Sequence, residues 1–174
     1  MRLDSLHDVF ADQIGDLYSA ERQLVEALPK VQSAATSPEL KEAVSTHLEQ
    51  TREHVRRLEH LVSDAGLSVP SEECEGMKGL LEEGEQIIGA QGDPAAKDAA
   101  LIAAAQRIEH YEMAGYGTAK TLAKELGLSE AESLLDETLA EEMKADKLLT
   151  KIATGGMLRS GVNEDAADTR AAAR

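Results

Sequence analysis

The sequence predicts an all-α protein in which four long helices pack as an antiparallel bundle. Composition is the first reason: of 174 residues, 42% are hydrophobic, only 2% are aromatic and none is tryptophan. The aromatic and β-branched residues that pack best on pleated sheets are therefore scarce. Hydrophobic periodicity is the second reason, because apolar residues recur at about 3.6-residue spacing between clear helix start and stop signals. A β-sandwich or barrel is excluded.

The first two helices are predicted to form a hairpin. Helix one runs from about residue 4 to 35, and Pro29 bends it without ending it. Ser37 is a helix cap and Pro38 suits the first helical position, so helix two begins there and continues to Gly66. Only a few residues join the two helices, which must therefore run antiparallel.

The last two long helices are predicted to form a second hairpin. An Asp-Pro pair at residues 93–94 starts helix three, which stops at Gly127. Ser129 and Glu132 have the spacing of a capping box and open helix four. A Gly-Gly pair at residues 155–156 ends it.

A long crossover joins the two hairpins. It spans about residues 66–93 and contains EECEGMKGLLEEGEQII, which is apolar enough to form a short extra helix. Two hairpins joined by one long crossover is the ferritin-like arrangement. Residues 1–154 are predicted to form this bundle. Residues 155–174 lack an apolar period and are predicted to be a flexible tail.

Charge and cysteine content limit the environment and the partners. A formal charge of −15 repels phosphate backbones and anionic lipids, so neither nucleic acid nor a membrane is expected as a partner. No apolar run approaches the roughly 18 residues of a membrane span, and the N-terminus lacks the apolar core of a signal peptide. The single cysteine excludes an internal disulfide framework, which suits the cytoplasm. The acidic surplus fits a solvated surface, a saline cytoplasm or a set of metal ligands.

Acidic side chains interrupt the apolar stripes near the middle of the helices. Glu21, Glu112 and Glu142 do so on helices one, three and four, and His54 does so on helix two. Glu109 and Asp146 lie three and four residues from two of these glutamates and share their helix faces. The six candidate metal ligands are Glu21, His54, Glu109, Glu112, Glu142 and Asp146.

Carboxylates and imidazole that converge from four helices are the donor set of di-iron and di-manganese proteins. Buried acids are costly unless a cation compensates them, so the sequence favours two iron or manganese ions at this level of the bundle. A Glu-x-x-His pair is missing, because Thr51 stands where the acid would be. Glu49 is a reserve candidate, and His47 is a ligand or a core histidine. Tyr18 and Tyr116 have the spacing to approach the same centre.

Five segments resemble the YciE/YciF family of bacterial and archaeal ferritin-like proteins. They are DLYSAERQL, HLEQTREHVRRLE, EECEGMKGLLEE, DAALIAAAQRIEHYEMAGYGT and LLDETLAEEMKADKLL. The resemblance covers about residues 4 to 153. It implies a four-helix ferritin-like bundle that is usually a homodimer, is linked to stress responses and is distantly similar to rubrerythrin.

A weaker resemblance to rubrerythrins implies that Glu21, Glu109, Glu112 and Glu142 are ligands. The chain departs from that pattern at Thr51, where a bridging glutamate is expected, and at Asp146, where histidine is common. It has no Cys-x-x-Cys rubredoxin module, so electrons would come from an external donor protein. No ordered extra C-terminal helix of the kind that ferritin cages use is expected either.

Two functions follow from these observations. The first is a small stress-response protein with a carboxylate-bridged iron or manganese pair that removes peroxide or handles metal; whether it is an enzyme is left open. The alternative is a non-enzymatic helical module that works through its dimer surface or a partner, with its inward acids hydrated or paired with basic side chains.

Overall fold

The computed structural model describes residues 3–64, 66–67, 72–156 and 160–172. Its secondary-structure elements are six helices. They are α1 (Leu6–Ala34), α2 (Pro38–Asp64), α3 (Glu75–Gly89), α4 (Pro94–Glu125), α5 (Ser129–Thr154) and α6 (Val162–Ala172). None of these helices combines the length and the apolar character that a membrane span needs, as far as the described residues go.

The packing of the helices confirms the predicted topology. α1 packs along α2 and α4 packs along α5, while α1 also contacts α4 and α2 contacts α5. These four contacts close a four-helix bundle from two hairpins. The crossover contains the predicted short helix, α3, which packs against α1 and α4. Pro29 lies inside α1 and does not end it.

Two of the predicted start signals work as expected. The Asp93 carboxylate accepts a hydrogen bond from the N–H of Ala96 at 2.9 Å, and Pro94 is the first residue of α4. The Ser37 hydroxyl accepts one from the N–H of Leu40 at 3.3 Å in the first turn of α2. Side-chain oxygens therefore satisfy backbone donors that a helix start leaves without partners.

The predicted capping box at Ser129 is wrong. The cap position of α5 is Leu128, and no side chain makes a capping hydrogen bond there. The turn explains the difference: Gly127 takes a left-handed φ of 72°, and the N–H of Leu128 bonds back to the carbonyl of Ala123 in α4. Because of this turn, α5 begins one residue earlier than a cap at Ser129 would require. Ser129 is therefore the first residue of the helix and not its cap.

The predicted flexible tail over residues 155–174 is wrong for Val162–Ala172, which form α6. An ordered helix therefore follows the four-helix bundle. α6 packs against α4 and α5, and Val162 is buried in a core cluster. The hydrophobic pattern does not predict this helix, because Val162 is its one large apolar residue and alanines supply the rest of its apolar surface.

Apolar side chains form two clusters, one toward each end of the bundle. The Phe10 cluster includes Phe10, Ile14, Leu17, Leu58, Tyr116 and Leu135. The Leu101 cluster includes Leu24, Leu40, Leu48, Leu101, Ile108 and Leu149. Along each long helix, a buried acidic or imidazole side chain lies between residues of the two clusters: Glu21, His54, Glu112 and Glu142. The bundle therefore has a polar layer between two apolar halves.

Candidate metal centre

Six acidic and imidazole side chains meet in this layer, and all are buried. They are Glu21 of α1, His47 and His54 of α2, Glu109 and Glu112 of α4, and Glu142 of α5. His47 is 8% exposed, Glu109 3%, and the other four 0%. Helix geometry explains the pairs, because positions three or seven residues apart lie on one helix face. The layer therefore collects donors from all four helices of the bundle.

Three of these residues form what we call the His54 subsite. His54 Nδ1 lies 3.2 Å from Glu21 Oε1 and 3.0 Å from Glu142 Oε1. One potential ligand atom from each of the three residues lies within 4.8 Å of those of the other two. A single cation placed among them would have two carboxylates and one imidazole as ligands.

Four residues form what we call the His47 subsite: His47, Glu109, Glu112 and Glu142. His47 Nε2 lies 3.5 Å from Glu109 Oε1 and 3.8 Å from Glu142 Oε2. The two oxygens of Glu142 thus face different histidines, Oε1 toward His54 and Oε2 toward His47. Glu142 is placed to bridge two cations, one in each subsite.

Most of the buried polar atoms of this layer have no hydrogen-bond partners. In the described part of the chain, nine buried side-chain nitrogen and oxygen atoms lack one, and all nine belong to these six residues. His54 Nδ1 is among them, because its short distances to Glu21 and Glu142 lack hydrogen-bond geometry. Folded proteins rarely leave such groups unsatisfied. A cation is the partner that would satisfy carboxylate oxygens and imidazole nitrogens together.

Another buried acid gives the contrast. Asp98 is 2% exposed, but its carboxylate accepts hydrogen bonds from the N–H and hydroxyl of Thr36 and from the N–H of Ser37, at 2.6–3.1 Å. This acid fastens the loop between α1 and α2 to α4. Burial of a carboxylate therefore does not by itself mark a metal site in this protein. The layer differs from Asp98 because its buried acids lack such partners, which makes it a candidate metal site.

The carboxyl groups of the layer affect one another's charge. Burial raises the pKa of Glu109 and Glu112 well above the usual range, and the nearby carboxylates raise it further. Burial likewise raises the pKa of Glu21. Burial would also raise the pKa of Glu142, but contacts with His54 and His47 outweigh it and leave that pKa lowered. Without a cation, burial and mutual repulsion therefore favour the protonated form of Glu109 and Glu112 more than that of an exposed glutamate.

The two histidines have opposite electrostatics. Burial alone would lower the pKa of His54, but the carboxylates of Glu142 and Glu21 raise it to about 10. Burial lowers the pKa of His47. A metal ligand must be a neutral imidazole, so cation binding at the His54 subsite has to displace a proton.

Side chains outside the layer hold His54 in place. Its Nε2 lies 2.9 Å from Glu141 Oε2, and Arg57 donates to the same oxygen at 2.5 Å. Arg57 also contacts Thr138 at 3.2 Å. A histidine that donates one ring N–H to a carboxylate presents its other nitrogen to a metal. Glu141 and Arg57 thereby orient Nδ1 of His54 toward the subsite.

The two tyrosines with suitable spacing have different positions. The Tyr116 hydroxyl donates to Glu21 Oε1 at 2.5 Å and lies beside the His54 subsite. The Tyr18 hydroxyl donates to Glu59 at 3.0 Å, away from the layer. Only Tyr116 approaches the centre.

The structure brings together five of the six predicted ligands: Glu21, His54, Glu109, Glu112 and Glu142. Asp146 belongs to neither subsite. It accepts a hydrogen bond from Gln106 at 2.9 Å and lies 3.4 Å from His110 Nε2. Its position at the edge between α4 and α5 leaves 20% of its side chain exposed.

The open alternatives on α2 are resolved as well. His47 joins the layer, seven residues before His54, a spacing that repeats one helix face. The Glu49 side chain is 69% exposed and pairs with Arg52. Thr51 is fully buried, and its hydroxyl donates to the carbonyl of His47 at 2.9 Å. In place of an acid, α2 offers this layer two histidines.

Comparison with known proteins now gives the family. The family described as "Domain of unknown function (DUF892)" matches residues 5–167 of the chain. The chain belongs to this family. It is 41% identical over 165 residues to Protein YciF of Escherichia coli (strain K12), which covers 94% of this chain and 99% of that protein. The family resemblance expected from the five sequence segments is confirmed.

Solved structures agree. The crystal structure of the E. coli stress protein YciF matches with a TM-score of 0.83 at 42% identity, over 86% of this chain and 94% of that one. YcfI from Rhodopseudomonas palustris matches with a TM-score of 0.83 at 34% identity, over 88% and 99%. A protein from Xanthomonas campestris, at a TM-score of 0.68 and 18% identity over 84% and 89%, shows the fold alone. The predicted ferritin-like fold class is confirmed, and the chain is a homologue of a stress protein.

Proposed function

We propose that this protein binds two divalent cations, iron or manganese, in a carboxylate-bridged centre and uses them in a stress response. One observation carries the proposal: among the described residues, the nine buried polar side-chain atoms without partners all belong to six residues that face one another. Mixed carboxylate and imidazole donors suit iron and manganese. The four glutamates carry four negative charges when ionised, which two divalent cations balance.

The two subsites would share the work of binding. Glu21 and His54 Nδ1 hold one cation, and His47, Glu109 and Glu112 hold the other. Glu142 bridges them with its two oxygens. Every one of these side chains lies on a long helix, so the bundle holds the donors close together before any cation arrives.

The function we propose for the loaded centre is removal of peroxide or safe handling of the metal during stress. Two such ions, if bound, would each supply one electron, and reduction of one hydrogen peroxide to two waters takes two electrons and two protons. The single cysteine excludes a rubredoxin-type module within this sequence, so an external protein would supply the electrons. We further propose a homodimer in the cytoplasm, and light scattering of the purified protein tests its mass.

Metal content tests the proposal. The full chain is purified without chelators, stripped of metal and then titrated with Mn²⁺ or, without oxygen, with Fe²⁺. About two ions per chain are expected, from the two subsites of a dinuclear carboxylate centre. Protein that takes up no metal under either condition contradicts the proposal.

A pair of variants locates the metal. Glu142→Gln keeps the shape of the bridging side chain but removes its charge from both subsites, so we expect the variant to lose both ions. Glu49→Gln makes the same change on the exposed face of α2 and should bind like the wild type. Equal metal uptake by the two variants would place the ions outside the layer.

One observation favours the alternative, a helical interaction module without a metal pair. α5 exposes Met143 and Leu148, which are 40% and 43% accessible, as an apolar surface for a partner. In that case, replacing Glu21 and Glu112 together by Gln would leave function in stressed cells intact. Under the metal proposal the double variant loses both metal uptake and function.

A further inference from the structure

A cavity lies inside the half of the bundle that holds the Leu101 cluster. Its volume is about 190 Å³, and α1, α2, α3, α4 and α5 all contribute to its walls. Its inner end reaches His47 and Glu109 of the His47 subsite. Exposed side chains also line it, including Lys30 and Glu85 of α1 and α3 and Thr46 and Lys144 of α2 and α5, so the cavity is open to solvent. The cavity thus runs from the surface to the candidate metal centre.

Small residues create this cavity. Among the residues that line it are Ala27, Ala43, Gly84, Ala104, Ala105 and Ala145. Larger side chains at these positions would fill the space, and protein cores are normally close-packed. The other walls are largely leucine, isoleucine and valine side chains such as Leu28, Val31 and Ile88. An open apolar space costs stability, so its presence beside a polar centre points to an occupant.

We propose that this cavity binds a small apolar molecule and presents it to the His47 subsite. A dry cavity of about 150 Å³ lined by Leu, Ile and Phe is known to bind benzene. The present cavity accommodates a molecule with one ring or a short alkyl chain. Binding depends on the cavity alone, whereas presentation to a metal rests on the function proposed above.

The polarity of the walls sets the class of ligand. A polar body would lose its hydration along apolar walls without gaining hydrogen bonds. The cavity ends at His47 and Glu109, whose unpartnered nitrogens and oxygen are themselves buried. Ligand pockets commonly combine apolar walls with a few polar residues at one end. The cavity therefore suits an apolar body whose end packs against the His47 ring.

Benzene binding to the metal-free full-length chain tests the first step. Two-dimensional amide NMR spectra are recorded during a benzene titration, and we expect shifts at Ala104, Ala105 and Ile108. Gly84→Leu places a side chain in the cavity, where a Cβ would meet no atom within 4 Å, and should weaken binding about tenfold or more. No saturable binding to the wild type would overturn the proposal.

Gly79→Leu is the matched control. Gly79 also lies in α3 with open space around its Cβ, but it is exposed and does not line the cavity. The Gly79→Leu variant should bind benzene like the wild type. Ala105→Leu narrows the cavity from α4 and repeats the test if Gly84→Leu fails to fold, as judged by circular dichroism. Equal binding by both cavity variants and the control would overturn the proposal.

Proton relaxation tests presentation to the metal. Bound Mn²⁺ shortens the relaxation times of nearby protons, so benzene should relax faster with Mn²⁺-loaded wild type than with the metal-free chain. Unchanged benzene relaxation beside bound Mn²⁺ overturns presentation. Glu142→Gln should bind benzene with wild-type affinity and cause no such enhancement. If the wild type takes up no Mn²⁺, the metal function fails, and presentation to a metal fails with it. Benzene binding by the metal-free chain still tests whether the cavity takes up an apolar molecule.

Discussion

The two histidines of α2 lie in one layer, yet their surroundings differ. His54 is held from outside by Glu141, which Arg57 in turn binds, and its Nδ1 faces two carboxylates. Both ring nitrogens of His47 lack hydrogen-bond partners, and this residue borders the apolar cavity. The same residue type, seven positions apart on one helix, is thus fixed in one subsite and unsupported in the other.

This difference indicates a division of labour. The His54 subsite is preorganised, because outer partners fix the orientation of its imidazole before a cation binds. The His47 subsite has more carboxylates but less support, and it adjoins the route to solvent. We therefore expect the His54 subsite to bind its cation more tightly and the His47 subsite to exchange its cation and meet small molecules. Five experiments test this comparison.

The largest expected effect comes from separating the subsites. Glu21→Gln removes a ligand of the His54 subsite alone, and Glu109→Gln removes one of the His47 subsite alone. Each variant should lose one of the two ions. The ion that remains in Glu109→Gln should be the tighter one. Mn²⁺ titration followed by electron paramagnetic resonance measures both stoichiometry and affinity, and loss of both ions from each single variant would contradict two separable subsites.

The next effect is on stability against pH in the metal-free protein. The folded pKa of His54 is about 10 against 6.5 for an unperturbed histidine. A raised pKa means that the stabilising contribution is complete below about pH 6.5 and is lost as pH rises through about 10. The contribution is on the order of a few kcal/mol. Urea unfolding at pH 6 to 10 should show a decline in the wild type that His54→Gln lacks. Parallel curves would contradict this.

His47 should behave in the opposite way. Its pKa is lowered by burial, so below about pH 6.5 the unfolded chain takes up a proton that the folded chain does not. Stability therefore falls as pH drops below that value. NMR titration of the two imidazoles in metal-free protein should show His47 neutral and His54 charged at pH 7. The same charge on both rings would contradict the proposed difference between the two histidines.

A smaller effect should follow from loosening His54. Arg57→Gln removes the group that holds Glu141, and loss of such an outer partner typically weakens metal binding by about 10- to 100-fold. The loss should fall on the tighter ion. Arg56→Gln is the matched control, because Arg56 is 63% exposed and pairs with Glu53 on the surface. If both variants bind Mn²⁺ equally well, the outer partners do not organise the site.

The smallest effect is expected at Asp146. Asp146→Asn removes a carboxylate that faces Gln106 and His110 and belongs to neither subsite. Both ions should remain, with affinities within about twofold of the wild type, as is usual for changes away from a site. Loss of an ion from Asp146→Asn would mean that this side chain moves into the layer when metal binds.

The helices could be predicted because their signals are local. Proline and capping residues begin α2 and α4, and the apolar period does the rest. The same period revealed four of the candidate ligands, because a polar residue on an apolar stripe faces the core. The three-residue spacing from Glu112 revealed a fifth, Glu109. The roles of Glu141 and Arg57 beside His54 were not predicted, because their contact joins α2 to α5 and depends on how the two helices are rotated. Their positions in the sequence offer one signal, because each lies close to a candidate ligand: Arg57 follows His54 by three residues, and Glu141 precedes Glu142 by one.

Asp146 shows the limit of the same reasoning. Spacing of four residues from Glu142 predicts a shared helix face, but a face is broad and the layer is thin. One turn along α5, the side chain meets Gln106 at the edge of the bundle instead of the layer. α6 was missed for a different reason, because alanine-rich helices bury little large apolar surface and leave a weak periodic signal.

Anomalous diffraction from crystals soaked in Mn²⁺ would show where the cations bind. We expect two peaks per chain inside the bundle, one beside His54 and one beside His47, with the Glu142 carboxylate between them. Peaks confined to the exposed group of His60, Asp64 and Glu130, or no peak in the layer at a concentration that saturates binding in solution, would contradict it.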